Sequence, residues 1–131
     1  MSVGNRQVVV VDDEELMRTL LSDFFSSQGY RVRCYSTGAA ALKSLQEDSI
    51  PAAVVADIRM IPMNGMDLLK KVKKDFPSLP VVLFTSAGNP EERDEALRSG
   101  ASDYFTKPFA LSDLRSVVER VSGNEKTKRK A

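Results

Sequence analysis

Short, continuous runs of apolar residues predict the strands of a buried sheet. Residues 8–11 are four consecutive valines, and comparable runs occupy residues 52–56 and 81–84. Runs of this kind are typical of parallel strands that are buried on both faces. Residues 31–35 alternate polar and apolar side chains, which predicts a strand near the edge of the sheet, and residues 103–105 predict a short last strand.

Each predicted strand is followed by a segment in which apolar residues recur at helical spacing. The helical segments are Leu16 to Phe25, Ala40 to Leu45, Met66 to Phe76, the residues after Glu91, and Leu111 to Val121. Gly29 and Gly100 are predicted to end the first and fourth helices. The alternating strands and helices, joined by short connections, predict an α/β fold: a doubly wound parallel sheet with helices on both faces.

The length and charge of the chain indicate one globular domain. The chain has 131 residues, and the last predicted helix ends shortly before a basic segment without apolar partners. We therefore expect one domain over residues 1–123 and a basic, disordered tail over residues 124–131. The formal net charge is +1, which gives no indication of a nucleic-acid or membrane partner.

Several residue types and segments are absent, and their absence excludes whole classes of function. The chain has no histidine, which excludes Ser-His-Asp and Cys-His catalytic units, histidine metal sites and a phosphohistidine relay within the chain. The single cysteine, Cys34, lies in an alternating segment and is expected to be a small buried residue. No signal peptide or run of transmembrane length is present, so we expect a cytoplasmic domain.

Polar residues that could bind a ligand or take part in a reaction follow the predicted strands. Asp12 and Asp13 end the first strand, Asp57 the third and Thr85 the fourth, while Lys107 comes shortly after the fifth. In doubly wound sheets, ligands bind beyond the carboxyl ends of the strands. We therefore expect three carboxylates, a hydroxyl and an ammonium group to converge at one edge of the sheet.

Three carboxylates in one crevice repel one another, and a divalent cation relieves that repulsion. The available ligands are carboxylate oxygens, with no histidine nitrogen or thiolate sulfur among them. This set of ligands favours Mg²⁺. A metal-loaded acidic pocket with a lysine is also suited to receive a phosphoryl group. Asp57 is the best placed nucleophile, because it is a single acid at the end of a central strand. Carboxylates can serve as nucleophiles that form aspartyl phosphates.

Each of these residues has a plausible structural role when it is considered alone. Asp12 and Asp13 could simply cap a helix, Asp57 could be a turn residue, and Lys107 could be a solvated charge. These roles do not account for all of the residues at the ends of four different strands. The combination therefore favours a functional site.

The motifs closely resemble the receiver domain of bacterial two-component response regulators over residues 6–122. The resemblance rests on four segments, in the following order: Val-Val-Asp12-Asp13-Glu14, Asp57-Ile-Arg-Met60 with Asn64-Gly65, Leu83-Phe84-Thr85-Ser86, and Gly100 to Phe109. It implies a flavodoxin-like fold with five parallel strands in the order 2-1-3-4-5.

The resemblance also implies a mechanism. Asp57 would accept a phosphoryl group from the phosphohistidine of a kinase or phosphotransfer protein. Asp13, Asp57 and the backbone carbonyl of Arg59 would ligate Mg²⁺, and Asp12 would act largely through bound water. Lys107 would contact Asp57 at rest and the phosphoryl group afterwards, and the Lys107–Pro108 peptide would be cis.

The family's conformational switch maps onto Thr85 and Tyr104. The Thr85 hydroxyl would donate a hydrogen bond to the new phosphoryl oxygen, and Tyr104 would turn inward behind it. Considered alone, Tyr104 would be an ordinary half-buried strand aromatic. The surface of helix 4, strand 5 and helix 5 would then control an unidentified output protein or form a homodimer, without direct binding to nucleic acid or membrane.

The sequence departs from the family pattern at one position. The residue after Met60 is usually proline in this family, whereas this chain has Ile61 followed by Pro62. The loop length is unchanged, so the chemistry of Asp57 is expected to survive. Arg59 and Ala87 occupy positions that tune phosphoryl lifetime in the family, and Arg59 could either obstruct water or pair with the phosphate.

Two other functions compete with a phosphorylation-controlled switch. A degenerate receiver would bind partners without phosphorylation, but every expected acid, Thr85 and Lys107 are present. A magnesium-dependent phosphohydrolase would use Asp-x-Asp after a strand, a pattern that neither Asp12 nor Asp57 begins. We expect no enzymatic activity beyond self-phosphorylation and slow autodephosphorylation. The domain is expected to be either a stand-alone switch or a module of a longer regulator.

Overall fold

Strands and helices alternate along the chain in the computed structural model, which describes residues 6–124. The strands are β1 (Gln7–Val11), β2 (Arg31–Tyr35), β3 (Ala53–Asp57), β4 (Val81–Thr85) and β5 (Asp103–Thr106). The helices are α1 (Glu15–Ser27), α2 (Gly38–Glu47), α3 (Gly65–Asp75), α4 (Pro90–Arg98) and α5 (Leu111–Glu119), the last continued by a π-helical turn, Arg120–Asn124.

The strands form one parallel sheet in the order β2-β1-β3-β4-β5, which confirms the predicted fold class. The central strands β3 and β4 are buried along their whole length, and β1 is buried at all but its first residue. This is why their sequences are continuously apolar. Strand β2 lies at the edge and has only partly buried or exposed residues, in agreement with its alternating sequence.

The helices cover both faces of the sheet, so that the fold has two apolar layers. Val9 and Val11 of β1 face a layer that includes residues of α2, α3 and α4. Val8 and Val10 point the other way, into a layer shared with α1 and α5. Since successive side chains of a strand point to opposite faces, each central strand contributes to both layers. These layers hold the carboxyl ends of the strands in fixed positions.

Cys34 does not occupy the environment predicted for it. The prediction that Cys34 is a small buried residue is wrong, because the side chain is exposed. Cys34 belongs to the edge strand β2, and its Sγ lies 3.9 Å from the carbonyl oxygen of Arg18 in α1. Partial burial raises the pKa of the thiol. An edge strand is only partly covered by its neighbouring helix, so the alternation of polar and apolar residues in β2 does not ensure that Cys34 is buried.

Two of the predicted helix ends agree with the structure. Gly29 and Gly100 have positive φ angles of 92° and 107°, as predicted for glycines that end helices. The predicted tail, residues 124–131, lies outside the described residues except for Asn124. Within residues 6–124, no helix is both long and apolar enough to span a membrane.

Replacing Asn64 with alanine is expected to destabilise the protein by about 1 kcal/mol. Asn64 is the N-cap of α3, and its Oδ1 accepts a hydrogen bond of 2.8 Å from the backbone N–H of Asp67. Urea unfolding of Asn64→Ala and Asn64→Asp measures the effect. The aspartate variant keeps the acceptor and is expected to unfold like the wild type, so an equal loss in both variants would contradict the capping role.

Candidate functional site

Three carboxylates meet at the carboxyl edge of the sheet, as the sequence predicted. Asp12 and Asp13 follow β1, Asp57 ends β3, and these strands are adjacent, with Val11 paired to Ala56. Carboxylate oxygens of the three aspartates lie within 4.8 Å of one another. The adjacency of β1 and β3 therefore brings together acids that are far apart in the sequence.

Asp12 is the most buried member of the cluster. Its side chain is fully buried, and its Oδ1 accepts a hydrogen bond of 2.9 Å from the N–H of Glu14. Its Oδ2 is buried and has no hydrogen-bond partner within residues 6–124. Burial, reinforced by the charge of Asp57, raises the pKa of Asp12 to about 6. A buried acceptor without a donor, beside two further carboxylates, is suited to interact with a cation.

Asp57 is held rigidly at the end of the central strand. The carboxyl group is largely buried, and its Oδ1 accepts a hydrogen bond of 3.2 Å from the N–H of Arg59. The next residue, Ile58, donates its N–H to the carbonyl of Phe84 at 2.9 Å, which ties the strand end to β4. A partly accessible carboxylate in a fixed position can act as a nucleophile.

The start of α3 packs directly against the backbone of Asp57. A Cβ atom on Gly65 would lie 2.4 Å from the carbonyl oxygen of Asp57 and 2.8 Å from the Cα of Ile58. Both neighbours are backbone atoms, so a side chain at this position would displace the strand end or the helix. The glycine is therefore required by the close approach of two backbones.

Replacing Gly65 with alanine is expected to destabilise the protein by about 2 kcal/mol, because the new methyl group overpacks against backbone. Gly38→Ala is the matched control: Gly38 also begins a helix, but a Cβ there would meet the flexible side chain of Met63. Thermal and urea unfolding of both variants measures the difference. Equal stability of Gly65→Ala and the wild type would contradict this prediction.

Thr85 and Lys107 lie beside the acidic cluster. Thr85 ends β4 and is fully buried, and its Oγ1 accepts a hydrogen bond of 3.2 Å from the N–H of Ala87. The carbonyl of Thr85 accepts a hydrogen bond of 2.8 Å from the N–H of Lys107, so the loop after β5 is tied to β4. The positive charge of Lys107 partly offsets the rise in the pKa of Asp12.

The ammonium group of Lys107 is not paired with Asp57. Its Nζ lies 5.4 Å from the centroid of the Phe84 ring, a cation–π contact, and within residues 6–124 it forms no ion pair. The contact with Asp57 that the resemblance implied is thus not made in this structure. The Lys107–Pro108 peptide is cis, in agreement with the resemblance.

Tyr104 is more deeply placed than a half-buried strand aromatic, with only 5% of its surface exposed. Its hydroxyl donates a hydrogen bond of 2.7 Å to Oε1 of Glu92 and accepts one of 3.2 Å from the N–H of Asn89. Burial, followed by the hydrogen bond to Glu92, raises the pKa of the phenol. A Cβ on Gly88 would touch both Tyr104 and Thr85, so these two residues border the same small space.

Sequence reasoning missed the side-chain interactions of Arg59 and Glu92. The guanidinium of Arg59 binds the carboxylate of Glu92 through two hydrogen bonds of 2.7 and 3.0 Å, and it also donates to the carbonyl of Ala87. The sequence identifies Glu92 only as a favourable negative charge in the first turn of a helix. Its partners are 33 and 12 residues away, a separation at which local patterns carry no signal.

The unusual Ile61 lies on the surface of the loop after Asp57. The side chain of Ile61 is 81% exposed and points to solvent. The carbonyl of Ile58 accepts hydrogen bonds of 2.9 Å from Met60 and 3.0 Å from Gly65, which close the loop beneath Ile61. The Ile61–Pro62 peptide is also cis.

Comparisons with known proteins agree with this arrangement. The chain is 41% identical to the regulatory protein AtoC of Escherichia coli strain K12 over 92% of its own length and 26% of AtoC. It therefore spans about a quarter of that relative. The receiver domain of the Francisella response regulator 1452 matches 92% of this chain and 99% of its own length, with a TM-score of 0.85 and 27% identity.

A second solved structure is the beryllofluoride-activated NtrC4 receiver domain dimer. It covers 89% of this chain and 96% of its own length, with a TM-score of 0.83 and 26% identity. The family model described as the response regulator receiver domain matches residues 8–119. These residues contain β2 to β5, all of β1 except Gln7, and the whole of the acidic cluster. The chain therefore belongs to the response regulator receiver family.

Proposed function

We propose that Asp57 is the phosphoacceptor of this receiver domain, and that its donor is the phosphohistidine of a histidine kinase or a phosphotransfer protein. The observation that supports this most strongly is the cluster of Asp12, Asp13 and Asp57, with carboxylate oxygens within 4.8 Å at the strand ends of a receiver fold. Family membership supports this class of reaction, and the position of Asp57 in the cluster supports its role as the nucleophile.

The residues present are suited to Mg²⁺. Asp12 contributes a buried oxygen without a hydrogen-bond partner in residues 6–124, and Asp13 and Asp57 contribute carboxylates that face the same point. Asp13, Asp57 and the carbonyl of Arg59 would hold the ion, with Asp12 acting through water. Bound Mg²⁺ would neutralise charge on the phosphoryl oxygens during transfer.

The transfer itself requires a nucleophile and two groups that receive the phosphoryl oxygens. A carboxylate oxygen of Asp57 attacks phosphorus, the bond from phosphorus to the imidazole nitrogen breaks, and the electron pair leaves with the imidazole. Lys107, which forms no ion pair within the described residues, is available to bind a phosphoryl oxygen. Thr85 uses its hydroxyl oxygen as an acceptor toward Ala87, so its proton remains available for donation.

The consequence of phosphorylation would be a change in the surface formed by α4, β5 and α5. Thr85 and Tyr104 border the same space, so a movement of the Thr85 hydroxyl toward the phosphoryl group would affect Tyr104. This surface would control an unidentified output protein in the cytoplasm or form a homodimer. The beryllofluoride-activated NtrC4 receiver domain is a dimer, which supports the second possibility. We propose no turnover of an external substrate.

Intact mass spectrometry after incubation with acetyl phosphate tests the proposal. We expect the mass to increase by one phosphoryl group with Mg²⁺ and to remain unchanged when EDTA replaces the metal. No increase, together with no binding of beryllofluoride, would instead establish a receiver that acts without phosphorylation. Continuous release of inorganic phosphate without a phosphorylated species would favour a phosphohydrolase.

A further inference from the structure

Glu92 connects three elements around the candidate phosphoacceptor site. It lies in the first turn of α4, where its N–H donates a hydrogen bond of 2.8 Å to Oδ1 of the N-cap residue Asn89. Its carboxylate binds the guanidinium of Arg59, from the loop after β3, and accepts the hydroxyl proton of Tyr104, from β5. We refer to Arg59, Glu92 and Tyr104 as the Glu92 network.

The ion pair in this network differs from the other pairs on the surface. The side chains of Glu92 and Arg59 are 15% and 43% exposed, whereas those of the Lys70–Glu95 pair, which joins α3 to α4, are 50% and 45% exposed. The Arg59–Glu92 pair is also bidentate, with contacts of 2.7 and 3.0 Å. A bidentate pair whose carboxylate is sheltered is stronger than an exposed single contact, so its loss has a structural consequence.

Arg59 also lies beside the position that a phosphoryl group would occupy. Its backbone N–H donates to Oδ1 of Asp57 at 3.2 Å, which places the start of its side chain next to the acceptor carboxylate. Phosphorylation would add a group with a charge of about −1.5 to −2, and guanidinium groups bind phosphate in the same bidentate manner as carboxylate. The phosphoryl group and Glu92 would therefore compete for one cation.

We propose that the Arg59–Glu92 ion pair holds α4 and Tyr104 in their unphosphorylated arrangement, and that a phosphoryl group on Asp57 releases them by attracting Arg59 away from Glu92. This inference rests on the proposed function of Asp57. Once Arg59 leaves, Glu92 is a largely buried carboxylate without its cation, and that state is unfavourable unless the first turn of α4 moves toward solvent. Movement of Glu92 also removes the acceptor of the Tyr104 hydroxyl.

Thermodynamic linkage gives this proposal a measurable consequence. If the ion pair opposes the activated state, weakening the pair must strengthen the binding of a phosphoryl analogue by the same factor. The variant Glu92→Gln removes the charge but retains an oxygen that accepts from Tyr104. We expect it to bind beryllofluoride, in the presence of Mg²⁺, about tenfold more tightly than the wild type.

Three controls separate the ion pair from a general charge effect. Glu91→Gln and Glu95→Gln each remove one negative charge from α4, but neither residue contacts Arg59. Both are expected to bind beryllofluoride within twofold of the wild type. The decisive control is Arg59→Met: in that background, the additional change Glu92→Gln is expected to produce no gain, because the pair is already absent.

Hydrogen exchange of backbone amides gives an independent measurement. In Glu92→Gln without beryllofluoride, the first-turn amides of α4 are expected to exchange faster than in the wild type, toward the rates of the activated wild type. An unchanged affinity and exchange rate, or the same gain in the Arg59→Met background, would overturn the network while leaving Asp57 as phosphoacceptor. Failure of the wild type to bind beryllofluoride at all would overturn the proposed function and the network with it.

Discussion

The variant Asp57→Asn is expected to gain no phosphoryl group from acetyl phosphate under conditions in which the wild type is fully modified. The carboxamide is a poor nucleophile and lacks the charge that would bind Mg²⁺. Its oxygen can still accept the hydrogen bond from the N–H of Arg59, so the fold is retained. Intact mass spectrometry of the variant and the wild type, side by side, measures the difference.

The control for this experiment is an exposed acid far from the cluster. Asp75 lies at the last residue of α3 and is exposed, so Asp75→Asn changes the net charge by the same amount. We expect this variant to be phosphorylated like the wild type. Phosphoryl uptake by Asp57→Asn at the wild-type rate would exclude Asp57 as the acceptor and direct attention to Asp12 and Asp13.

The variant Asp12→Asn is expected to stabilise the metal-free protein by about 3 kcal/mol at pH 7.5. The pKa of Asp12 rises from 3.8 to about 6 on folding, and each unit corresponds to about 1.4 kcal/mol. Because the folded state holds the proton more tightly, the wild type is expected to lose stability as the pH rises from about 4 to 6. Above pH 6 the full penalty of the buried charge remains.

Urea unfolding of the wild type and Asp12→Asn between pH 4 and 8, in EDTA, measures this effect. The two proteins are expected to have similar stability at pH 4 and to diverge as Asp12 ionises. Added Mg²⁺ is expected to stabilise the wild type more than the variant, because the variant lacks one carboxylate of the cluster. A constant difference across this pH range would show that ionisation of Asp12 is not the cause.

Much of the fold was predictable from the sequence because its signals are local. Continuous apolar runs predicted β1, β3 and β4, and alternation predicted the edge strand β2. Helical spacing of apolar residues predicted the intervening helices. The acids at the strand ends predicted a cluster, since parallel strands of one sheet end at the same edge. These inferences need only the periodicity of side chains and the geometry of a parallel sheet.

The contacts around the cluster were decided by the tertiary structure. Whether Asp12 and Asp57 lie near each other depends on β1 lying beside β3, an order that local periodicity does not encode and that the family resemblance supplied. The exposure of Cys34 depends on how far α1 covers the edge strand. The position of Lys107 over Phe84 likewise depends on how the loop after β5 packs against β4.

Glu92 illustrates the distinction most clearly. Its place in the first turn of a helix was determined by the sequence, because acidic residues favour the positive end of the helix dipole. Its role in joining Arg59 to Tyr104 was decided only when the sheet brought the loop after β3, the start of α4 and β5 to one edge. The physical reason is that the strength of an ion pair depends on the distance between the two charges in space, and the fold determines that distance.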